Sequence, residues 1–592
     1  MSNAKLPQND LNPELRKKNL QKNQSKYRYK YDYASLSGIA MADGVPCKEL
    51  PGFIWIKDVI KTILRLLRNV GTYHFFSRWI FRYSKKQSSN IRSKQPKQMS
   101  DYVRYFQTLD IPKITFNYQD DVFARMRVAG QNPLMISAVN AIEPSFPVDN
   151  TLFQSIKGFA NDTLEKAIDE HRLFIVDYKK LELIKNGTDG HGMQQYNYVP
   201  KALFAIPANQ SSLKTSLVPI AIQCGQVVSE DMPIYTPNDG MVWNMAKTII
   251  QIADFNYHEL ISHLAATHLL IEPFVISTHR QLANNHPLKV LLLPHFEGTI
   301  FINWAAQKAL VNTGGKVDTL FSGTIESSRA LVAQRLTLSF NEELFPNKIK
   351  KRGVDKPNLI YPYRDDAQKI WLAISEWVDS YLNIYYKNDQ DILDDSELSA
   401  WAKELTEAGH VLGFGDDNNG KITTLAYLKQ AVTMVIFTSS AQHAAVNFSQ
   451  HDFAGYPPNM PAAGYTPAPQ NKNQSTQAWL NILPPINQSA KQAKNLILTK
   501  NLLQGIHPFI IINKQARVEK PAFFFIGSNN SLLSVSRAGL FNQKYPEIFR
   551  IKALEKENGL FDLVYQSSST KNILLLLLFS HDFSNEVSLF HG

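Results

Sequence analysis

Cysteine is nearly missing from this chain: Cys47 and Cys224 are the only two in 592 residues. Two thiols cannot build a disulfide framework or, by themselves, a thiolate metal site, so the expected compartment is reducing and any metal needs nitrogen and oxygen donors. Long hydrophobic runs are missing as well. The longest candidate, 573–579, is far short of the ~20 apolar residues that cross a bilayer. The polar start MSNAKLPQNDLNPELRKKN lacks the apolar stretch of a secretory signal, so a cytoplasmic or peripheral membrane protein is expected. Disorder is excluded by 44% hydrophobic and 11% aromatic residues, and 592 residues suffice for a large buried core. Length alone suggests several domains, although one large catalytic domain also fits.

The net charge of +11 is unevenly placed. Residues 1–98 carry 20 Lys+Arg against 6 Asp+Glu, which leaves 43 against 46 for the rest. Residues 1–30 are polar and Lys-rich with little to bury, and read as a mobile tail. Residues 31–98 form a basic amphipathic helical region, in which Lys57, Lys61, Arg65 and Arg68 recur every three or four residues beside Ile56, Ile60, Ile63, Leu64 and Leu67. The stretch YHFFSRWIFRYSKK follows. Residues 53–86 then have two readings: a helix packed on the core with a solvated basic face, or a surface helix that meets anionic lipid. Nucleic acid is not an expected partner, because the cations lie beside apolar aromatics without a nucleic-acid motif. A monomer is expected.

From residue 99 to 592 the pattern is that of one mainly helical unit. The strands expected are Leu173–Val176, Ala202–Ile206 and Leu217–Ile222, and the helices 241–283, 297–313, 366–388, 396–409 and 422–448. A Pro/Asn/Gln-rich loop is expected from Pro457 to about Thr476.

Five histidines form a pattern: His258, His263, His268, His286 and His295. The first two separations are of five residues, which in an α-helix turn by roughly 500°, about 140° off a common face. A π-helical bulge, whose hydrogen bonds run from i to i+5, places such residues on one side, so the spacing predicts a distorted helix with His263 and His268 together. His443 and Asn447 are an i, i+4 pair on one face of a regular helix. Three imidazoles and an amide oxygen suit non-haem iron, with manganese or zinc open.

The stretch ADFNYHELISHLAATHLLIEPFVISTHRQLANNHPLKVLLLPHFEGTIFIN resembles the histidine signature of the lipoxygenase family. HAAVNFSQ, 443–450, is similar to the family's second metal helix, and FNYQDDVFARMRVAGQNPLMI, 116–136, to the opening of its catalytic domain. The resemblance runs from about residue 30 to 589 and leaves no room for the family's N-terminal β-barrel, so a compact bacterial-type member is expected. It implies a mainly α fold: one large helical catalytic domain with a small β subdomain, its metal site between two central helices, one carrying the π bulge. It further implies that His263, His268, His443 and Asn447 bind one iron, while Glu259 and Gln450 orient ligands from outside and His258, His286 and His295 are structural.

The implied reaction takes a hydrogen atom from the methylene between two cis double bonds of a polyunsaturated fatty acid such as linoleate or arachidonate. O2 then adds to the pentadienyl radical, giving a hydroperoxide. Two alternatives are a catalytically weak lipid-binding relative and a hydroperoxide isomerase. The family usually ends in an isoleucine whose carboxylate is the last iron ligand, whereas here Leu589 takes that position and Phe590, His591 and Gly592 follow. Three expectations stand open: the Gly592 carboxylate folds back to the metal, His591 substitutes, or iron binding is weak.

Three pocket positions carry over by the same resemblance. Leu310 matches a leucine that clamps the pentadiene, and Phe321 a bulky position that shifts oxygenation toward the methyl end. Ala306 falls where S-specific members carry alanine and R-specific ones glycine. The product is accordingly predicted to be the S hydroperoxide; chiral chromatography that returns mainly R product would refute the assignment of Ala306.

Overall fold

The computed structural model describes residues 4–80, 95–112, 118–208, 217–416, 418, 420–504, 509–511 and 524–526. Its axis is a 41-residue central helix, Met241–Gln281. This helix is long and apolar enough to cross a membrane, yet 89% of its most apolar window is buried inside the protein. The helices Ile325–Arg335, Ser396–Glu407 and Thr299–Ala309, and a second long helix over 425–447, pack around it. An apolar helix buried on all sides needs no polar stripe, which is why Val242, Ala246, Ile249, Ile250, Ile252 and Ala253 occur all around its first half.

The expected strands form. Ser137–Ala138, Leu173–Asp177, Lys201–Ala205, Val218–Gln223 and Ile234–Tyr235 make a five-stranded antiparallel sheet in that order. Side chains alternate between two cores: Phe174, Val176, Ala202 and Phe204 join the main core, while Leu173, Leu203 and Ala205 face a satellite core with Phe153 and Phe159. Both faces are covered, so these strands read as continuous apolar runs. The expected helices also form, as Met241–Gln281, Thr299–Ala309, Pro362–Tyr385, Ser396–Glu407 and 425–447. No regular element interrupts the loop between Pro457 and Ser475.

The N-terminal region departs from expectation. Residues 13–26, expected within a mobile tail, form a helix docked on the body. Its anchor is Arg16, 4% exposed, whose guanidinium meets both Glu397 oxygens at 2.8 and 2.9 Å and Asp10 at 2.8 Å. Tyr27 stacks on His279 with ring centroids 3.8 Å apart. A fork-to-fork ion pair plus stacking offsets the ordering entropy that the polar composition leaves uncovered. Next, Tyr29–Lys30 and Met41–Ala42 pair as a short antiparallel hairpin against the central helix.

The basic helix also forms, as Phe53–Ile80. Its inner face carries Thr62, Leu66 and the fully buried Asn69, whose amide donates to the Tyr105 carbonyl at 2.8 Å and accepts from the Gln107 and Thr108 N–H groups at 2.9 and 2.8 Å. The aromatic run 73–86 and the apolar C-terminal stretch lie outside the residues whose side chains are described.

The Arg16 anchor generates a prediction. Arg16→Ala leaves Glu397 buried without its counter-charge and is expected to destabilise the protein by ~3–5 kcal/mol in denaturant unfolding. A loss below about 1 kcal/mol, the range of exposed pairs, would show that the N-terminal helix is not docked in this way.

Candidate metal centre

The centre starts from a shift in backbone hydrogen bonding. From His258 to Leu269 the central helix is π-helical for 12 residues before Leu270–Gln281 returns to α. The i to i+5 ladder brings His263 and His268 to one side, as the spacing predicts. The second helix does the same: Leu425–Phe437 is α, Thr438–Gln442 is π and His443–Asn447 is α again. This second π turn was not expected, since His443 and Asn447 need only a regular turn between them; it lies immediately before His443.

The three rings converge. His263 Nε2 and His268 Nε2 are 3.2 Å apart, and His268 Nε2 and His443 Nε2 are 2.9 Å apart. The three imidazoles offer one nitrogen each, all within 4.8 Å of one another, at residues only 4%, 7% and 3% exposed. Asn447 lies one turn beyond His443, 4% exposed, and its Nδ2 has no hydrogen-bond partner among the described residues.

Hydrogen bonds outside the cluster decide what these nitrogens present. His268 Nδ1 lies 2.8 Å from Asn303 Oδ1, which can only accept, so Nδ1 carries the proton and Nε2 a lone pair. His263 Nδ1 lies 3.3 Å from Glu259 Oε2, to which it donates, and 3.0 Å from Gln450 Nε2. Its Nε2 is therefore a lone pair too. Two buried lone pairs 3.2 Å apart repel unless a cation lies among them. Two nitrogens each ~2.1 Å from a metal and at right angles are roughly 3 Å apart, so the cluster fits a metal ion.

Two other histidines of the pattern, His258 and His286, tie neighbouring elements together through hydrogen bonds. His258 Nε2 donates to the Val446 carbonyl at 2.7 Å, stapling the central helix to the second helix, and burial lowers its pKa to about 4, keeping the ring neutral. His286 accepts the Leu288 N–H on Nδ1 and donates from Nε2 to Asp395 at 3.0 Å. Burial likewise holds His295 at about 4.

Glu259 and Gln450 stand beside the cluster, as expected. Ala306 and Leu310 lie at the C-terminal end of the helix Thr299–Ala309, both half-buried, with the Leu310 N–H bonded to the Ala306 carbonyl at 2.8 Å. Phe321 is buried in a different cluster, its ring 5.0 Å from Phe255. Leu589, Phe590, His591 and Gly592 lie outside the described residues. Sequence reasoning missed Asn303 and Glu272, which stand behind His268. A visible signal existed: Asn303 is an amide on the buried face of the apolar run TIFINWAA, and Glu272 a carboxylate in LLIEPFVI. Glu272 is 1% exposed, and burial raises its pKa to about 7.

Comparison with known proteins agrees with this geometry. A family model described as Lipoxygenase matches residues 50–491, stopping short of the 589 expected. The chain is 39% identical over 418 residues to a linoleate 9/13-lipoxygenase of Pseudomonas aeruginosa, covering 68% of this chain and 59% of that protein. It is 35% identical over 373 residues to the human polyunsaturated fatty acid lipoxygenase ALOX15B, covering 62% and 54%. Among solved structures, a lipoxygenase crystallised anaerobically with arachidonate superposes with TM-score 0.74 at 28% identity, over 84% of this chain and 74% of that one. The chain thus spans a little over half the length of the curated relatives it matches. With the matched span, the helical architecture and the paired metal-facing histidine helices in agreement, this chain belongs to the lipoxygenase family.

Proposed function

We propose that the protein is a non-haem iron dioxygenase that converts polyunsaturated fatty acids and O2 into fatty acid hydroperoxides. The convergence of one imidazole nitrogen each from His263, His268 and His443 in a buried, thiolate-free site carries this reading, with Asn447 as a weaker oxygen ligand. Iron is the metal of choice. Three imidazoles and an amide oxygen without a thiolate suit non-haem iron, and the family resemblance supports it. Manganese(II) stands at the weak end of the affinity order and favours carboxylate and water, so it fits three imidazoles less well. When bound, the iron supplies the one-electron chemistry that abstracts hydrogen from the bis-allylic methylene.

The protein's own groups hold and shield that chemistry. Asn303 and Glu259 keep the Nδ1 protons of His268 and His263, and Gln450 steadies the second ring. The apolar helices around the site exclude water and offer the surroundings a fatty acyl chain requires. Ala306, Leu310 and Phe321 are the positions assigned to the substrate channel. Residues 99–592 are assigned as the catalytic unit, with 31–98 as the basic helical region packed on it or extending from it.

The iron-loaded protein given linoleate or arachidonate under oxygen is expected to form an ultraviolet-absorbing conjugated diene with matching oxygen uptake, and His268→Ala to lose both iron and activity. Full iron occupancy without diene formation would overturn the dioxygenase reading. A human relative, 34% identical over 388 residues, is a hydroperoxide isomerase; consumption of a fatty acid hydroperoxide without oxygen uptake would assign this chain to that chemistry instead.

Peripheral membrane contact through residues 53–86 is part of the same proposal. On the outer side of the helix Phe53–Ile80, Phe53, Ile60, Leu64 and Leu67 are 80%, 52%, 59% and 57% exposed. Lys57, Lys61, Arg65 and Arg68 run beside them at helical spacing. An apolar stripe flanked by cations suits an anionic lipid surface. Binding to phosphatidylserine/phosphatidylcholine vesicles is expected to weaken with salt and to be lost in I60E/L64E; salt-insensitive binding, or retention by that variant, would refute the contact.

A further inference from the structure

We propose that Glu272, acting through Asn303, is a positioning residue that holds His268 in its metal-binding tautomer, and that the N-terminal hairpin locks this relay. The inference rests on His263, His268 and His443 being the metal ligands.

The Asn303 amide has a fixed direction. Asn303 Oδ1 lies 2.8 Å from His268 Nδ1, while Asn303 Nδ2 donates to Glu272 Oε2 at 2.7 Å and to the His268 carbonyl at 3.0 Å. Two acceptors on the NH2 side fix the amide, because a reversed amide would set its oxygen against a carboxylate and a carbonyl. Reversal would also turn an N–H toward His268 Nδ1. That nitrogen would then accept, the ring proton would move to Nε2, and the lone pair facing His443 Nε2 at 2.9 Å would be lost. Glu272, one helical turn beyond His268, therefore controls a proton that it does not touch.

Glu272 is held in turn. Its other oxygen accepts the Ala42 N–H at 2.8 Å, and Ala42 belongs to the hairpin strand Met41–Ala42. The loop between the hairpin strands reaches the helix Thr299–Ala309, where the Ser35 hydroxyl donates to Gln307 Oε1 at 2.9 Å, one turn after Asn303. Ser35, Ala42, Glu272, Asn303 and Gln307 are all buried. A segment more than 200 residues before the first ligand in sequence thus closes over the back of the centre.

A carboxylate offers acceptors on both oxygens and a glutamine on only one, so Glu272→Gln cannot satisfy both the Ala42 N–H and the Asn303 NH2. E272Q and N303A are each expected to weaken Fe(II) binding by about 10–100-fold, measured anaerobically by chelator competition, with the metal-free proteins checked for folding by thermal unfolding. The double variant E272Q/N303D reverses donor and acceptor between the two side chains while keeping an acceptor for His268; it leaves the His268 carbonyl without its donor, so it is expected to recover only part of the affinity that E272Q loses. A folded E272Q or N303A that holds Fe(II) as tightly as the parent overturns the relay. A parent protein that binds no Fe(II) would instead fail the ligand assignment itself.

Discussion

A hydrogen-bond ladder that slips from i→i+4 to i→i+5 is the constraint on which the centre depends. In a regular helix His263 and His268 point about 140° apart and cannot share an ion. Twelve residues of π geometry remove that disagreement, and a five-residue π turn lies directly before His443 on the facing helix. Such stretches have poorer hydrogen-bond geometry than α-helix, so their surroundings must over-determine them. Here the surroundings are a core in which Leu260, Ile261 and Ala265 are nearly or completely buried, and a staple from His258 to the Val446 carbonyl.

Convergence alone would be electrostatically unfavourable. What suits two of these rings to hold a metal is the set of acceptors outside them, Glu259 behind His263 and Asn303 behind His268. These place protons on the outer nitrogens and lone pairs on the inner ones. In a buried site the arrangement is costly without a cation and stabilised with one. Burial keeps His258 and His295 neutral, so no imidazolium competes with the ion from those positions.

The N-terminal region shows how far composition misleads when one residue is decisive. Residues 1–30 look like a tail because nearly all their side chains favour water, yet Arg16 fills a buried acidic socket formed by Glu397 and Asp10. The hairpin that follows reaches Glu272 through a single backbone N–H. Farther on, the basic helix combines a packed inner face, including Asn69 with its amide fully engaged, and an outer face of exposed isoleucine and leucine beside cations. Its periodicity carried both readings, and both faces are present.

Much of this molecule was legible before its structure. The separations of five between His258, His263 and His268 dictated a distorted helix, and apolar periodicity located the principal helices and the strands at 173–177, 201–205 and 218–223. These signals are local, spanning a few residues of one element. The sequence by itself therefore determined which helices carry the clustered histidines and which residue types meet. Tertiary structure alone decided which of three equally spaced histidines turn inward, since His258 is claimed by a carbonyl 188 residues away. It alone also joined Asn303 to His268 across 35 residues and Ala42 to Glu272 across 230. Pairings over such separations leave no periodic trace, because each is set by where whole helices pack rather than by the spacing within any one of them.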